Sequence, residues 1–114
     1  MKLSKKHLLL TLLSCAFCLS LASASYAGDE ANVITLKDHQ FSPAELIIPA
    51  GQKVKVIVKN LDSSPIEFES YELNREKIIG PHGQAVVFIG PLKPGTYPYF
   101  DDFHLKTKGV IKAQ

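Results

Sequence analysis

From Lys53 to Lys59 the chain reads Lys-Val-Lys-Val-Ile-Val-Lys, alternating charged and apolar residues with only Ile57 out of step. Successive side chains of a strand point to opposite faces, so this spacing predicts a strand with one dry and one wet face. Shorter β-rich runs flank it. Val33–Leu36 and Glu45–Ile48 precede it, the second stopped by Pro49-Ala50-Gly51. Phe41-Ser42-Pro43 reads as a turn, and Asn60 to Pro65 as a polar loop. Ile66–Ser70, Ala85–Ile89, Thr96–Phe100 and Gly109–Ala113 read as further strands, with a turn at Pro91-Leu92-Lys93-Pro94-Gly95. Tyr71 to Gly80 is charged and lacks alternation; Glu72–Lys77 has the composition of a single helical turn. There is no long amphipathic stripe, internal repeat or linker. Short strands at this spacing, separated by Pro and Gly turns, predict one all-β sandwich domain.

The first 27 residues follow a different pattern. Met1-Lys2-Leu3-Ser4-Lys5-Lys6 is basic, Leu8 to Leu21 is apolar, and Ser25-Tyr26-Ala27 offers small residues where a signal peptidase reads. This predicts a secretory signal peptide, residues 1–27, followed by a domain over 28–114 that acts in the periplasm. The apolar run is shorter than the roughly 20 residues of a spanning helix, so no stable membrane insertion of the mature chain is expected. Cys15, Cys18 and Met1 all lie in the leader, and residues 28–114 contain neither residue type. Of the 13 lysines and arginines, three lie in the leader, leaving ten against 11 acidic residues. Without a basic stripe, nucleic acid is not an expected partner.

Among the polar residues, Asp101 and His104 sit three apart, which puts a carboxylate and an imidazole within reach of one ion. Glu67 and Glu69 are two apart on a predicted strand, so they project from one face and repel unless a cation or water screens them. His39 lies between two early strands with acidic neighbours, while His82, in Pro81-His82-Gly83, reads as a surface residue. Tyr97, Tyr99, Phe100 and Phe103 read as packing aromatics. From the residues alone, Asp101 with His104, Glu67 with Glu69, and His39 each read either as ligands or as solvated surface groups. No nucleophile–base motif or Gly-x-Ser-x-Gly points to a hydrolase.

Residues 33–113 as a whole resemble the cupredoxin family. Phe41-Ser42-Pro43, Ile47–Gly51 and Val54–Asn60 are similar to its opening strands. Pro94–Phe100 and Gly109–Ile111 are similar to the strands that enter and leave its metal loop. The resemblance implies a Greek-key β-sandwich. Laid over the family's Cys-x-x-His-x-x-Met loop, cysteine falls on Asp101, histidine on His104, methionine on Thr107 and the following glycine on Gly109. The family's other histidine falls on Ile66, after Pro65. Blue-copper chemistry needs the thiolate, so a type 1 copper centre is not expected here.

A narrower similarity runs through Ile66-Glu67-Phe68-Glu69-Ser70, Leu73 with Glu76-Lys77, Pro91–Gly95 and Phe100-Asp101 with Phe103-His104. These segments resemble the small periplasmic cupredoxin-like proteins encoded with bacterial iron permeases, the FtrB-like group, related to the cupredoxin domain of EfeO-type proteins. That resemblance implies binding or oxidation of iron, with or without copper, for a membrane iron permease complex. It implies metal ligation by Glu67, Glu69, Asp101 and His104. Carboxylates and imidazole suit iron or divalent copper, and anionic oxygen favours ferric over ferrous iron. The competing expectations are a copper-handling protein without oxidase activity and a metal-free docking domain. Because Ile66 holds the family's histidine position, Glu67 and Glu69 reach the loop's site only if the strand bulges; otherwise they form a site of their own.

Overall fold

The computed structural model describes residues 32–114, and the predicted leader lies outside the described residues. The chain runs through β1 (Val33–Lys37), β2 (Gln40–Ser42), β3 (Glu45–Ile48), β4 (Val54–Asn60), β5 (Ile66–Ser70), β6 (Arg75–Ile79), β7 (Gln84–Ile89), β8 (Gly95–Asp101) and β9 (His104–Ala113). These form two sheets, in the orders β2-β1-β4-β7 and β3-β9-β8-β5-β6. Two pairings are parallel, β1 with β4 and β3 with β9. No helix among the described residues is long and apolar enough to cross a membrane.

Alternation places the core. In β4, Val54, Val56, Val58 and Asn60 are buried while Lys55 and Lys59 point outward. Ile57, the residue out of step, is half-buried on the outer face. From the facing sheet come Ile66, Phe68, Tyr99 and Ile111, each at most 1% exposed. Burying a side chain of this size contributes about 1.5–3 kcal/mol against the ordering entropy. Tyr99 is held between Phe41, 5.0 Å away edge-on, and Phe68, 4.9 Å away. Gly109 pairs with Tyr99, and a Cβ at that position would overlap the phenol ring.

Three local expectations are corrected. The helical turn expected over Glu72–Lys77 is a hairpin turn followed by β6. The hairpin closes through Asn74 N–H donating to the Tyr71 carbonyl, Leu73 N–H donating to Ser70 Oγ, and a left-handed Asn74 at φ 52°. β6 shows no alternation because it is an edge strand in which only Ile79 is buried. Phe41-Ser42, expected as a turn, belongs to β2, whose Phe41 side chain enters the core. His104, expected in a loop, opens β9 directly opposite Asp101, so Asp102-Phe103 alone connects the two strands. The period of two was present from Thr107 onward, with Thr107, Gly109, Ile111 and Ala113 buried and the lysines between them exposed.

The β6 edge carries two further features. Lys77 lies opposite core-facing Phe68 and therefore on the inner side of the sheet, yet it is exposed. Arg75 donates from Nε to the Phe88 carbonyl of β7 at 2.9 Å, fastening the edges of the two sheets together.

Candidate metal centre

At one end of the sandwich, four elements bring His39, Asp62, Asp101 and His104 together. His39 occupies the β1–β2 turn, where both central residues are left-handed, Asp38 at φ 51° and His39 at φ 59°. A two-residue hairpin of this type demands positive φ twice and takes glycine or asparagine most easily. Asp38-His39 adopts it with support from outside. The Asp62 carboxylate accepts hydrogen bonds from both backbone amides, at 2.7 and 3.0 Å. These donors, the His39 amide first and then the Asp38 amide, hold the Asp62 carboxyl below its ordinary range, helped by the two nearby imidazoles. Asp62 is itself fixed by buried Asn60. The Asn60 Oδ1 accepts from Asp62 N–H at 3.0 Å, and its Nδ2 donates to the Ser64 and Gly80 carbonyls at 2.8 and 3.0 Å.

His104 is placed from the other side. Its Nδ1 lies 2.9 Å from Asp101 Oδ2, and the Asp101 side chain is fully buried. Asp101 Oδ1 accepts from the amides of Glu67 (2.9 Å) and Phe103 (3.0 Å). The His104 ring meets the His39 ring with centroids 4.3 Å apart and planes tilted by 40°. His39 Nδ1 is 3.8 Å from Asp62 Oδ2. Thr107 Oγ1 donates to the His39 carbonyl at 2.7 Å.

A type 1 copper ion does not fit this end. The position of its thiolate is Asp101, whose two oxygens are committed to two amides and an imidazole. The position of its second histidine is Ile66, which is fully buried in the core. Thr107, at the methionine position, uses its hydroxyl on His39.

The two predicted glutamates are elsewhere. Ile66, Phe68 and Ser70 face the core, so Glu67 and Glu69 point out of the other side of the sheet. Asp101 pairs with Phe68 and shares its inward face. The four residues Glu67, Glu69, Asp101 and His104 thus do not converge; they divide into a pair on the outer face and a pair at the sandwich end. The strand does not bulge at Glu67: only its backbone amide reaches Asp101.

On the outer face, Glu69 lies directly opposite Glu76 of β6. One carboxylate oxygen from each of Glu67, Glu69 and Glu76 falls within 4.8 Å of the others. Glu67 is 7% exposed. Its carboxyl is pushed up to about 7, chiefly by a hydrogen bond shared with Glu76, then by burial and the charges of Glu76, Asp102 and Glu69. Arg75 adds no neutralising contact, since its guanidinium donates to the carbonyls of Phe88, Leu73 and Asn74. Among the described residues, no lysine or arginine makes an ion pair with the three glutamates.

Sequence reasoning missed Glu76, Asp62 and the role of Thr107. The β5–β6 hairpin register would have found Glu76, but the segment was read as helical. Asp62 and Thr107 act on His39 across 23 and 68 residues of chain, and no local pattern signals that.

A family model described as a cupredoxin-like domain matches residues 8–113. An uncharacterized protein of Rickettsia prowazekii (strain Madrid E) is 46% identical over 74 residues, which are 65% of this chain. The chain spans 59% of that relative's length. Among solved structures, amicyanin from Paracoccus versutus superposes with a TM-score of 0.61 at 17% identity, covering 75% of this chain and 82% of amicyanin. A purple cupredoxin from Nitrosopumilus maritimus gives a TM-score of 0.59 at 21% identity, over 72% and 98% of the two chains. These structural likenesses concern the fold.

Proposed function

The chain belongs to the cupredoxin-like family, and we propose that it is an exported, periplasmic metal-binding protein that takes up iron on Glu67, Glu69 and Glu76 and delivers it to a membrane permease. The observation that carries this reading is the convergence of three carboxylates within 4.8 Å around a glutamate that is 7% exposed, with no basic partner among the described residues. Such an arrangement is costly when empty, because like charges repel and burial disfavours ionisation. A cation relieves both costs at once. An all-oxygen donor set suits a hard ion, and anionic oxygens hold ferric iron more tightly than ferrous. Bound iron therefore has a lowered reduction potential, and loss of one electron to an external acceptor such as dioxygen is favoured. The leader-like start of the sequence supports export. The Glu-x-Glu segment, which resembles that of iron-permease partners, supports the permease.

The test is thermal melting of the purified protein at fixed pH with and without ferrous iron under anaerobic conditions. At a hundredfold excess over Kd, binding stabilises by about 2.7 kcal/mol. For a domain of this size that is a Tm rise on the order of 10 °C. A variant carrying Glu67→Gln, Glu69→Gln and Glu76→Gln keeps the shapes and is expected to lose that rise. An equal rise in both proteins would show that the carboxylates are a solvated face and would remove the basis for iron delivery.

A further inference from the structure

We propose a second, separate metal site at the sandwich end, in which His39 and His104 together bind a divalent first-row cation through their Nε2 atoms. It does not depend on the carboxylate cluster, which lies on the other side of the sheet.

The spacing of the two rings is close to that of a bound pair. A first-row ion sits about 2.0 Å from an imidazole nitrogen and so roughly 3.1 Å from the ring centre; two such rings at ordinary coordination angles have centres about 4.5–5 Å apart. The observed separation is 4.3 Å. A few tenths of an ångström of ring opening brings them to that range. His104 directs Nδ1 at Asp101, which leaves Nε2 as the nitrogen available to an ion. A carboxylate behind the far nitrogen fixes the tautomer and raises the basicity of the ligand. Asp62 lies on the Nδ1 side of His39 at 3.8 Å, beyond hydrogen-bond distance but near enough to favour a bound cation electrostatically.

The backbone at His39 points the same way. A non-glycine residue at positive φ costs roughly 1–2 kcal/mol. Here the cost falls on both turn residues, Asp38 and His39, and three hydrogen bonds maintain the turn that presents the imidazole: two from the Asp38 and His39 amides to Asp62 and one from Thr107 to the His39 carbonyl. The positions that align with the ligand loop of a cupredoxin have thus acquired other tasks. Asp101 orients one imidazole and Thr107 anchors the backbone that carries the other, both as positioning residues. His39, which aligns with no ligand, supplies the second donor.

Copper(II) is the natural probe, because two imidazoles with nearby oxygen bind it most tightly among the divalent first-row ions. Copper(II) is titrated into the purified protein by calorimetry, and the complex is examined by pulsed electron paramagnetic resonance, which counts coordinated imidazoles. Two imidazoles are expected in the wild type. His39→Gly suits the left-handed backbone and so removes only the ring; His39→Gly and His104→Ala, made separately, are each expected to lower affinity at least tenfold and to leave one imidazole. Thr107→Val is expected to lower affinity less and to retain two imidazoles. The Glu67→Gln, Glu76→Gln double variant is expected to keep the two-imidazole copper signal, whatever copper the carboxylates themselves hold. A single imidazole in the wild-type complex, unchanged affinity in His39→Gly, or loss of copper binding in the double glutamate variant would each overturn the proposal.

Discussion

Replacing Asp101 separates its structural role from its ligand-orienting one. The carboxylate accepts from two backbone amides, Glu67 and Phe103, and pairs with His104 Nδ1. Asp101→Ala leaves the buried Glu67 amide and the part-buried Phe103 amide without acceptors, at about 1–3 kcal/mol each. His104 is 37% exposed and turns to water at little cost. The expected loss is about 3 kcal/mol, out of the roughly 4–12 kcal/mol typical of a domain this size. It appears as a Tm drop on the order of 12–24 °C. Asp101→Asn keeps Oδ1 for both amides and loses only the charge-assisted bond to the ring, about 1 kcal/mol net of its replacement. The asparagine Nδ2 now donates toward His104 Nδ1, which forces the ring proton onto Nε2. Asp101→Asn is therefore a nearly intact fold whose His104 has lost its ligating lone pair. Thermal and urea melts give the stabilities, and nitrogen chemical shifts of His104 report the tautomer. If Asp101→Ala costs less than about 1 kcal/mol, or if the two variants are equally unstable, Asp101 does not hold β5 to the β8–β9 hairpin as described.

Tyr99→Phe is expected to raise stability by about 1 kcal/mol in a urea melt, because the Tyr99 hydroxyl is buried with no hydrogen-bond partner and its removal ends an unmet desolvation cost. Gly109→Ala is expected to lower stability by about 1–3 kcal/mol, since the added methyl meets the Tyr99 ring in the core. Combining it with Tyr99→Leu is expected to recover part of the loss. Stability of the metal-free protein is expected to fall as pH rises from 4.5 through about 7, because folded Glu67 retains a proton that the unfolded chain has released. The contribution is fully present only below that window. Glu67→Gln is expected to flatten this part of the pH profile, measured as Tm against pH.

The fold was legible because seven of the strands carry their own signal. The alternation in β4 is decisive, and its buried phase extends past the predicted end to Asn60, whose amide closes the loop beneath Asp62. β2 and β6 were missed for opposite reasons. β2 is three residues long and hidden beside a proline, while β6 lies at an edge where burial imposes no period. For the site, same-face spacing placed Glu67 and Glu69 together, and the Asp-x-x-His spacing placed Asp101 beside His104. Joining the two pairs into one centre failed on strand geometry. Phe68 sets the inward face, Asp101 pairs with it, and both glutamates flank it on the outside. The approach of His39 to His104 joins a turn and a strand end 65 residues apart in sequence, a proximity created by tertiary packing alone.

Lys77 affects the protein's behaviour in a crowded compartment. An edge strand exposes a row of unpaired amides and carbonyls onto which another chain can template itself. Any strand added beside β6 would press its inward side chains against the Lys77 ammonium, on the side of the sheet where Phe68 lies. The newcomer would have to strip water from that charge before gaining a single ladder bond, a deterrent that many soluble β proteins use against fibre growth. One lysine thus helps the domain stay dispersed at high concentration, without a covering helix and without shortening the strand.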